Sequence, residues 1–183
     1  MRAVRAERTR KSATLTRALS FGPDIKVRRG SGSFDVRHGT NAAARLLARL
    51  MRLPAAGLNV PTRLVVTETR GGQHWHRTFA GRDFITEQRR TADGMMAERS
   101  GAFEMLFRLD ERGGVLLYRQ VGFAFRLGRL RVPLPRLLSP RVVAREHTSA
   151  DGSRLRASVR VIAPLVGLLI AYRGCIEIEG RGA

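Results

Sequence analysis

The sequence has few cysteine, lysine and acidic residues. Among 183 residues, Cys175 is the single cysteine, which excludes an internal disulfide and a zinc site built from cysteines. We therefore expect a cytoplasmic protein, because chains without disulfides are typical of reducing compartments. Fifteen Asp and Glu stand against 34 Lys and Arg, and only Lys11 and Lys26 are lysines. The net charge of +19 points towards anionic partners, although an excess made of arginine also follows from codon composition.

Long apolar runs are absent as well. The longest, VIAPLVGLLIAY at residues 161–172, is about half of the roughly 20 residues that a membrane-spanning helix needs, and a proline and a glycine interrupt it. The N-terminus contains no apolar stretch of the kind that a secretory signal requires. Residues 1–24 are basic and rich in Ser and Thr, which predicts a disordered tail, with an organellar transit peptide as the alternative. A single domain is expected over residues 25–180.

The pattern that is present is an alternation of apolar and polar residues. From Thr62 onward apolar residues recur at every second position, and turn signals with glycine arrive about every ten residues. Phe103, Met105 and Phe107, for example, share one face of a strand. This predicts a mainly β fold of the α+β type. We expect a curved antiparallel meander or a partly open barrel of about 8–10 strands.

One main helix is predicted over residues 41–53. Thr40 or Asn41 can cap its N-terminus, and Pro54 follows as a stop. Its leucines fall on one stripe, so we expect the helix to pack across or beside the sheet. Before the helix, glycines and serines at residues 30–33 predict the turn of a first hairpin.

Four charged residues fall on strand faces that are otherwise apolar. One of them, Arg77, alternates with Trp75 and Phe79. An unpaired charge in an apolar interior costs several kcal/mol, so inward charges have to pair, bind a ligand or line a wet cavity. A buried Arg/Glu network that fixes strand register is therefore one interpretation, and a ligand site is another. The four residues are Arg77, Arg119, Glu98 and Glu146.

The leading functional hypothesis is a binding domain for a small apolar or amphipathic acidic ligand inside the sheet or barrel. Arg77 or Arg119 would hold the acidic group while the rest of the ligand lies along aromatic side chains. An enzyme is the second hypothesis, since Glu98 or Glu146 in an apolar interior would have a raised pKa and act as a general base. The sequence leaves catalysis undecided and favours a binding role. The expected ligand contacts are Arg77, Arg119, Trp75, Phe103, Phe107 and Tyr172.

A third hypothesis is a basic surface that binds nucleic acid or an anionic membrane. Arg154, Arg156 and Arg160 share the solvent face of a predicted strand, where no aromatic residues interleave, so such binding would be electrostatic. No cofactor is predicted, because the chain has neither a phosphate loop nor a dinucleotide fingerprint. No metal site is predicted either, because His74 and His76 share a face without an evident third ligand.

Several short motifs occur in a recognisable order along the chain. They are RLLARLMRLP at 45–54, WHRTF at 75–79, PLP at 133–135 with SP at 139–140, and PLVG at 164–167 with YRG at 172–174. In this order they resemble the family called domain of unknown function 4166, over residues 26–178. The resemblance implies no catalytic residues. It implies an alternative role as an accessory domain, with a saccharopine-dehydrogenase-like oxidoreductase as a partner in trans. Cys175 departs from the pattern, which has tryptophan there.

Overall fold

The computed structural model describes residues 26–179, which form eleven β-strands and one short helix. The tail predicted at residues 1–24 lies outside the described residues. In chain order the elements are β1 (Lys26–His38), α1 (Ala42–Leu50), β2 (Gly57–Thr69), β3 (Gly72–Phe79), β4 (Arg82–Arg90), β5 (Met96–Ser100), β6 (Phe103–Arg112), β7 (Val115–Leu127), β8 (Leu130–Pro133), β9 (Arg141–Thr148), β10 (Arg154–Ala163) and β11 (Gly167–Ile178).

Ten of the strands close into an antiparallel barrel. β1 to β7 follow one another as a meander, β9 to β11 return to β1, and the pairing of β7 with both β6 and β9 completes the ring. β8 pairs with the second half of β7 and stands outside the ring. The prediction of a mainly β fold with one helix is confirmed. The barrel is closed rather than partly open, which leaves no unpaired edge in the ring.

The first strand differs from its prediction. Residues 30–33 form no turn, because Lys26–His38 is one continuous strand between β2 and β11. Gly30 and Gly32 face the interior where β11 approaches closely. A Cβ added at Gly32 would lie 1.9 Å from the carbonyl oxygen of Cys175. These glycines therefore mark close contact between strands rather than a reversal of the chain.

The predicted helix begins at its expected cap and ends earlier than expected. The Asn41 side chain accepts a hydrogen bond from the Ala44 amide at 2.7 Å, which is the usual N-cap interaction. The helix ends at Leu50, because Arg52 takes a left-handed conformation with φ 52° two residues before Pro54. Ala44 packs with Leu169 of β11, so the helix lies beside the barrel at one end.

The two ends of the barrel are different. Because neighbouring strands run in opposite directions, β1, β3, β5, β7 and β10 all finish at the end that carries α1. We call this the helix end and the other the turn end, where short connections join β2 to β3, β4 to β5, β6 to β7 and β9 to β10. Within residues 26–179 no helix has the length and apolarity needed to cross a bilayer.

Candidate functional site

Arg77 lies on the inner face of β3, as predicted. Its guanidinium carbon is 4.7 Å from the ring centroid of Trp75 and 5.9 Å from that of Phe84, so it rests against two aromatic faces. One guanidinium nitrogen donates to the hydroxyl of Thr86 on β4 at 3.0 Å. No carboxylate among the described residues forms an ion pair with Arg77. The barrel thus holds a cation whose contacts are aromatic rings and one hydroxyl.

Glu146 and Tyr118 form the second polar contact of the interior. Glu146 lies on the inner face of β9, as predicted, and accepts a hydrogen bond from the Tyr118 hydroxyl at 2.7 Å. Burial raises the pKa of Glu146, against the opposing effects of the Tyr118 hydrogen bond and the charge of Arg77. Burial also raises the pKa of Tyr118 well above its usual range, and the charge of Glu146 adds to that effect. Burial therefore shifts the titration of this carboxyl towards higher pH.

Glu98 lies on the inner face of β5, opposite Gln88 and Met105. Its negative charge raises the pKa values of Glu146 and Tyr118, which places it within electrostatic reach of that pair. The prediction that both glutamates enter one interior is confirmed. Arg77, Glu98 and Glu146 thus share the interior, and the charge of Arg28 also acts on Glu146.

A chain of hydrogen bonds fixes the indole of Trp75. Its ring nitrogen donates to the Gln73 side chain at 3.0 Å, and Gln73 donates to Glu68 at 2.8 Å. Glu68 also accepts from Arg28 at 2.6 Å. The sequence analysis did not single out Glu68, although it alternates with Leu64 and Val66 on an apolar face just as the other inward charges do. The network holds the aromatic surface on which Arg77 rests.

The cavity beside Arg77 is small. Its volume is about 30 Å³, close to the space that one water molecule occupies in the liquid. The aromatic rings of Phe34, Phe79 and Tyr172 pack edge to face against one another along its wall, with centroids 5.7–5.8 Å apart. Burial raises the pKa of Tyr172 to about 12. Of the residues predicted from sequence, the cavity brings together Arg77, Trp75, Tyr172 and Glu146.

The predicted inward orientation of Arg119 is wrong. Arg119 is exposed on the outer face of β7, directly opposite Arg108 on one side and Val143 on the other. The cause is a bulge at Val121, where the pairing with β6 shifts by one residue. Phe123 beyond the bulge faces inward, and before the bulge the inward residues become Gln120 and Tyr118 instead of Val121 and Arg119.

The two remaining aromatic candidates lie elsewhere in the interior. Phe107 is buried against Tyr118, with ring centroids 5.7 Å apart, and belongs to a separate core cluster. Phe103 packs on Phe123 and Phe125 near the helix end. Neither lines the cavity beside Arg77. The sequence analysis missed Tyr118 because both faces of β7 are rich in apolar residues, so alternation alone favours neither.

A wider groove crosses the outer wall of the barrel. Its volume is about 540 Å³, and Arg145, Arg156 and Arg173 lie along it. Arg173 is near Asp35 at 3.8 Å, whereas Arg145 and Arg156 have no ion pair within residues 26–179. Cys175 is half-buried in this outer wall, because its neighbours Gly174 and Ile176 take the inner face. The groove is open, and its polar groups do not converge on one point.

Comparison with known proteins identifies the family of the chain. A family model described as "Domain of unknown function (DUF4166)" matches residues 15–176. No curated protein and no solved structure gives a significant match.

Proposed function

The chain belongs to the DUF4166 family, and from its barrel interior we propose that it binds a small amphipathic acid whose carboxylate pairs with Arg77. The observation that carries this proposal is the inward guanidinium of Arg77, which has no carboxylate partner among the described residues. A half-buried cation without a direct ion pair is costly, and a bound carboxylate would offset that cost. Arginine is suited to the role, because its planar fork can donate two parallel hydrogen bonds.

The alternative of a purely structural Arg/Glu network has less support. Such a network would join Arg77 directly to Glu98 or Glu146, and neither carboxylate forms an ion pair with it. Glu146 instead accepts from Tyr118, and burial raises its pKa. A raised pKa lowers the mean negative charge of Glu146 and with it the repulsion that an incoming carboxylate would meet, which supports an anionic ligand.

The remaining part of the ligand is expected to lie against the aromatic wall of the cavity. Trp75, held in place by Gln73, and the ring of Tyr172 offer apolar surface next to the guanidinium. Since the cavity measures only about 30 Å³, even acetate, with four non-hydrogen atoms, has to displace interior side chains, and a longer acid has to displace more of them. Small carboxylates should therefore need the least rearrangement, and larger ones should bind slowly.

Calorimetric titration tests the proposal. We would titrate the protein with acetate, phenylacetate and decanoate, which share a carboxylate and differ in the size of the tail. For each acid that binds, Arg77→Met should lower the affinity at least about tenfold, because a charge-assisted contact is lost. Arg119→Met is the matched control, since it removes the same charge from the exposed outer face of β7.

The two variants separate a specific site from general attraction to a basic protein. An unchanged affinity in Arg77→Met, or an equal loss in Arg119→Met, would exclude the interior site. Failure of all three acids to bind would also overturn the proposal. Mass spectrometry of small molecules that remain with the purified protein supplies an independent check, and a retained organic acid would support the assignment.

A further inference from the structure

The exposed leucines of the barrel are concentrated at the helix end. Eight leucines are strongly exposed within the described part of the chain, and all eight lie in α1, at strand ends or in connections at this end. The turn end exposes only Val27 among large apolar residues, and its connections contain Asp93 and Asp151. The eight leucines are Leu46, Leu50, Leu58, Leu127, Leu130, Leu137, Leu138 and Leu165.

Unpaired arginines surround these leucines. Six exposed arginines lie in the same segments, and none forms an ion pair within residues 26–179. Residues 39–57, 127–141 and 163–167 contain no Asp or Glu. The segments that carry the leucines are therefore both apolar and cationic, and the nearest exposed acid at this end is Asp83 at the start of β4. The six arginines are Arg45, Arg49, Arg52, Arg129, Arg136 and Arg141.

The stability of the fold does not account for these leucines. Leu165 is fully exposed at the tip of the turn between β10 and β11, and its φ of 64° is unfavourable for a bulky side chain. Leu137 is 82% exposed in the segment before β9. Isolated exposed apolar residues are common on protein surfaces, and Ile85, Val121 and Val143 on the wall are 42–49% exposed. The eight leucines are 58–102% exposed and are concentrated at one end, which indicates an interaction site.

We propose that the helix end docks on the surface of a bilayer that contains anionic lipids. The protruding leucines enter the boundary between headgroups and acyl chains, while the arginines around them contact lipid phosphates. The barrel axis then points towards the membrane, and the turn end with its aspartates faces the solvent. This surface is independent of Arg77 and the interior cavity.

The arrangement fits a bilayer better than a protein or a nucleic acid. The leucines belong to α1 and to several separate connections rather than to one groove, so a fluid surface can receive them all at once. Binding to nucleic acid would be driven by the arginines and would leave the leucines in water. Exposed arginines on the outer wall, such as Arg156 and Arg160, would bind its phosphates equally well. A lipid surface uses both kinds of side chain together.

Vesicle flotation with the full chain tests the proposal. We expect the protein to float with vesicles of phosphatidylcholine and phosphatidylglycerol at a ratio of 7:3, and not with phosphatidylcholine alone. Leu137→Ser combined with Leu165→Ser should lower partitioning at least about tenfold, because two inserted side chains are lost. Arg49→Gln combined with Arg136→Gln should lower it roughly fivefold for each charge.

Matched variants on other surfaces distinguish docking from general electrostatic adsorption. Arg156→Gln combined with Arg160→Gln removes the same charge from the outer wall, and Val27→Ser combined with Val143→Ser removes exposed apolar groups away from the helix end. Both should float as the unmodified protein does. The proposal is overturned if the protein does not float, if wall and helix-end variants lose binding equally, or if double-stranded DNA binds with the same sensitivity to the helix-end leucines. Circular dichroism verifies that each variant is folded.

Discussion

Glu104 provides a quantitative test of the electrostatics of the outer wall. Its side chain is only 3% exposed, on the face of β6 that points away from the interior. Arg131 contacts one carboxylate oxygen at 2.6 Å, and Arg89 and Arg126 approach the other at 3.2 and 3.3 Å. Burial opposes ionisation of Glu104, but the hydrogen bonds from Arg131 and Arg89 and the charge of Arg126 outweigh it and lower its pKa.

Replacing Glu104→Gln keeps the shape of the side chain and removes the charge that offsets three guanidinium groups. Arg89 is 53% exposed, so its pairing contributes less than about 1 kcal/mol. Arg126 and Arg131 are less exposed, at 26% and 35%, and contribute about 1 kcal/mol each after allowance for solvent screening. With the repulsion left among the three arginines, we expect a loss of about 3 kcal/mol. For a chain of this size the Tm should fall by roughly 6–12 °C.

Thermal melts at two pH values complete the test of Glu104. Because folding lowers the pKa of this carboxyl, its contribution is present above its usual value of 4.5 and is lost as the pH falls through the lower folded value. The difference between Glu104→Gln and the unmodified protein should therefore be full at pH 7 and shrink at pH 3. Glu87→Gln, an exposed carboxylate on β4, is the control. If both variants melt alike at pH 7, or if the difference persists in acid, the electrostatic reasoning is refuted.

Two further predictions concern the interior. Glu146→Gln should raise the Tm at pH 8 and leave it unchanged at pH 4. Because burial raises the pKa of this carboxyl, its contribution to stability is present below 4.5 and is lost as the pH rises through the folded value. Glutamine stays neutral at both pH values. A pH series of melts checks this, and an equal loss at both pH values would contradict it. Gly32→Ala should lower the Tm by at least about 6 °C, since its Cβ would lie 1.9 Å from a carbonyl oxygen of β11. Gly71→Ala, where a Cβ meets nothing closer than 3.9 Å, should change the Tm by less than about 2 °C in the same calorimetric scan.

Much of the fold follows from local patterns in the sequence. Alternation of apolar residues indicates strands wherever one face is buried, and the cap at Asn41 marks the start of the helix. The error at residues 30–33 shows where such patterns fail. Gly30 and Gly32 are required by the proximity of β11, which lies about 140 residues away in sequence. In the sequence alone, a glycine needed for such a distant contact cannot be distinguished from a glycine needed for a turn.

The candidate site was only partly predictable, and the limit lies in strand register. Arg77 alternates with Trp75 and Phe79 along an uninterrupted strand, so its inward orientation follows from the sequence. Arg119 alternates just as regularly with apolar residues, but the bulge at Val121 moves every residue before it to the opposite face. The bulge is a property of the pairing of β7 with β6, and the residues of β7 alone do not reveal it.

Three arginines in different parts of the structure show why the net charge alone says little about function. Arg131 neutralises a buried carboxylate on the wall, Arg77 lies in the interior without one, and Arg49 is exposed on α1 beside leucines. Because each carries the same charge, the salt dependence of binding to the whole protein does not reveal which of the three arginines takes part. Substitutions that remove equal charge from the interior, the wall and the helix end are therefore the measurements that separate ligand binding from membrane docking.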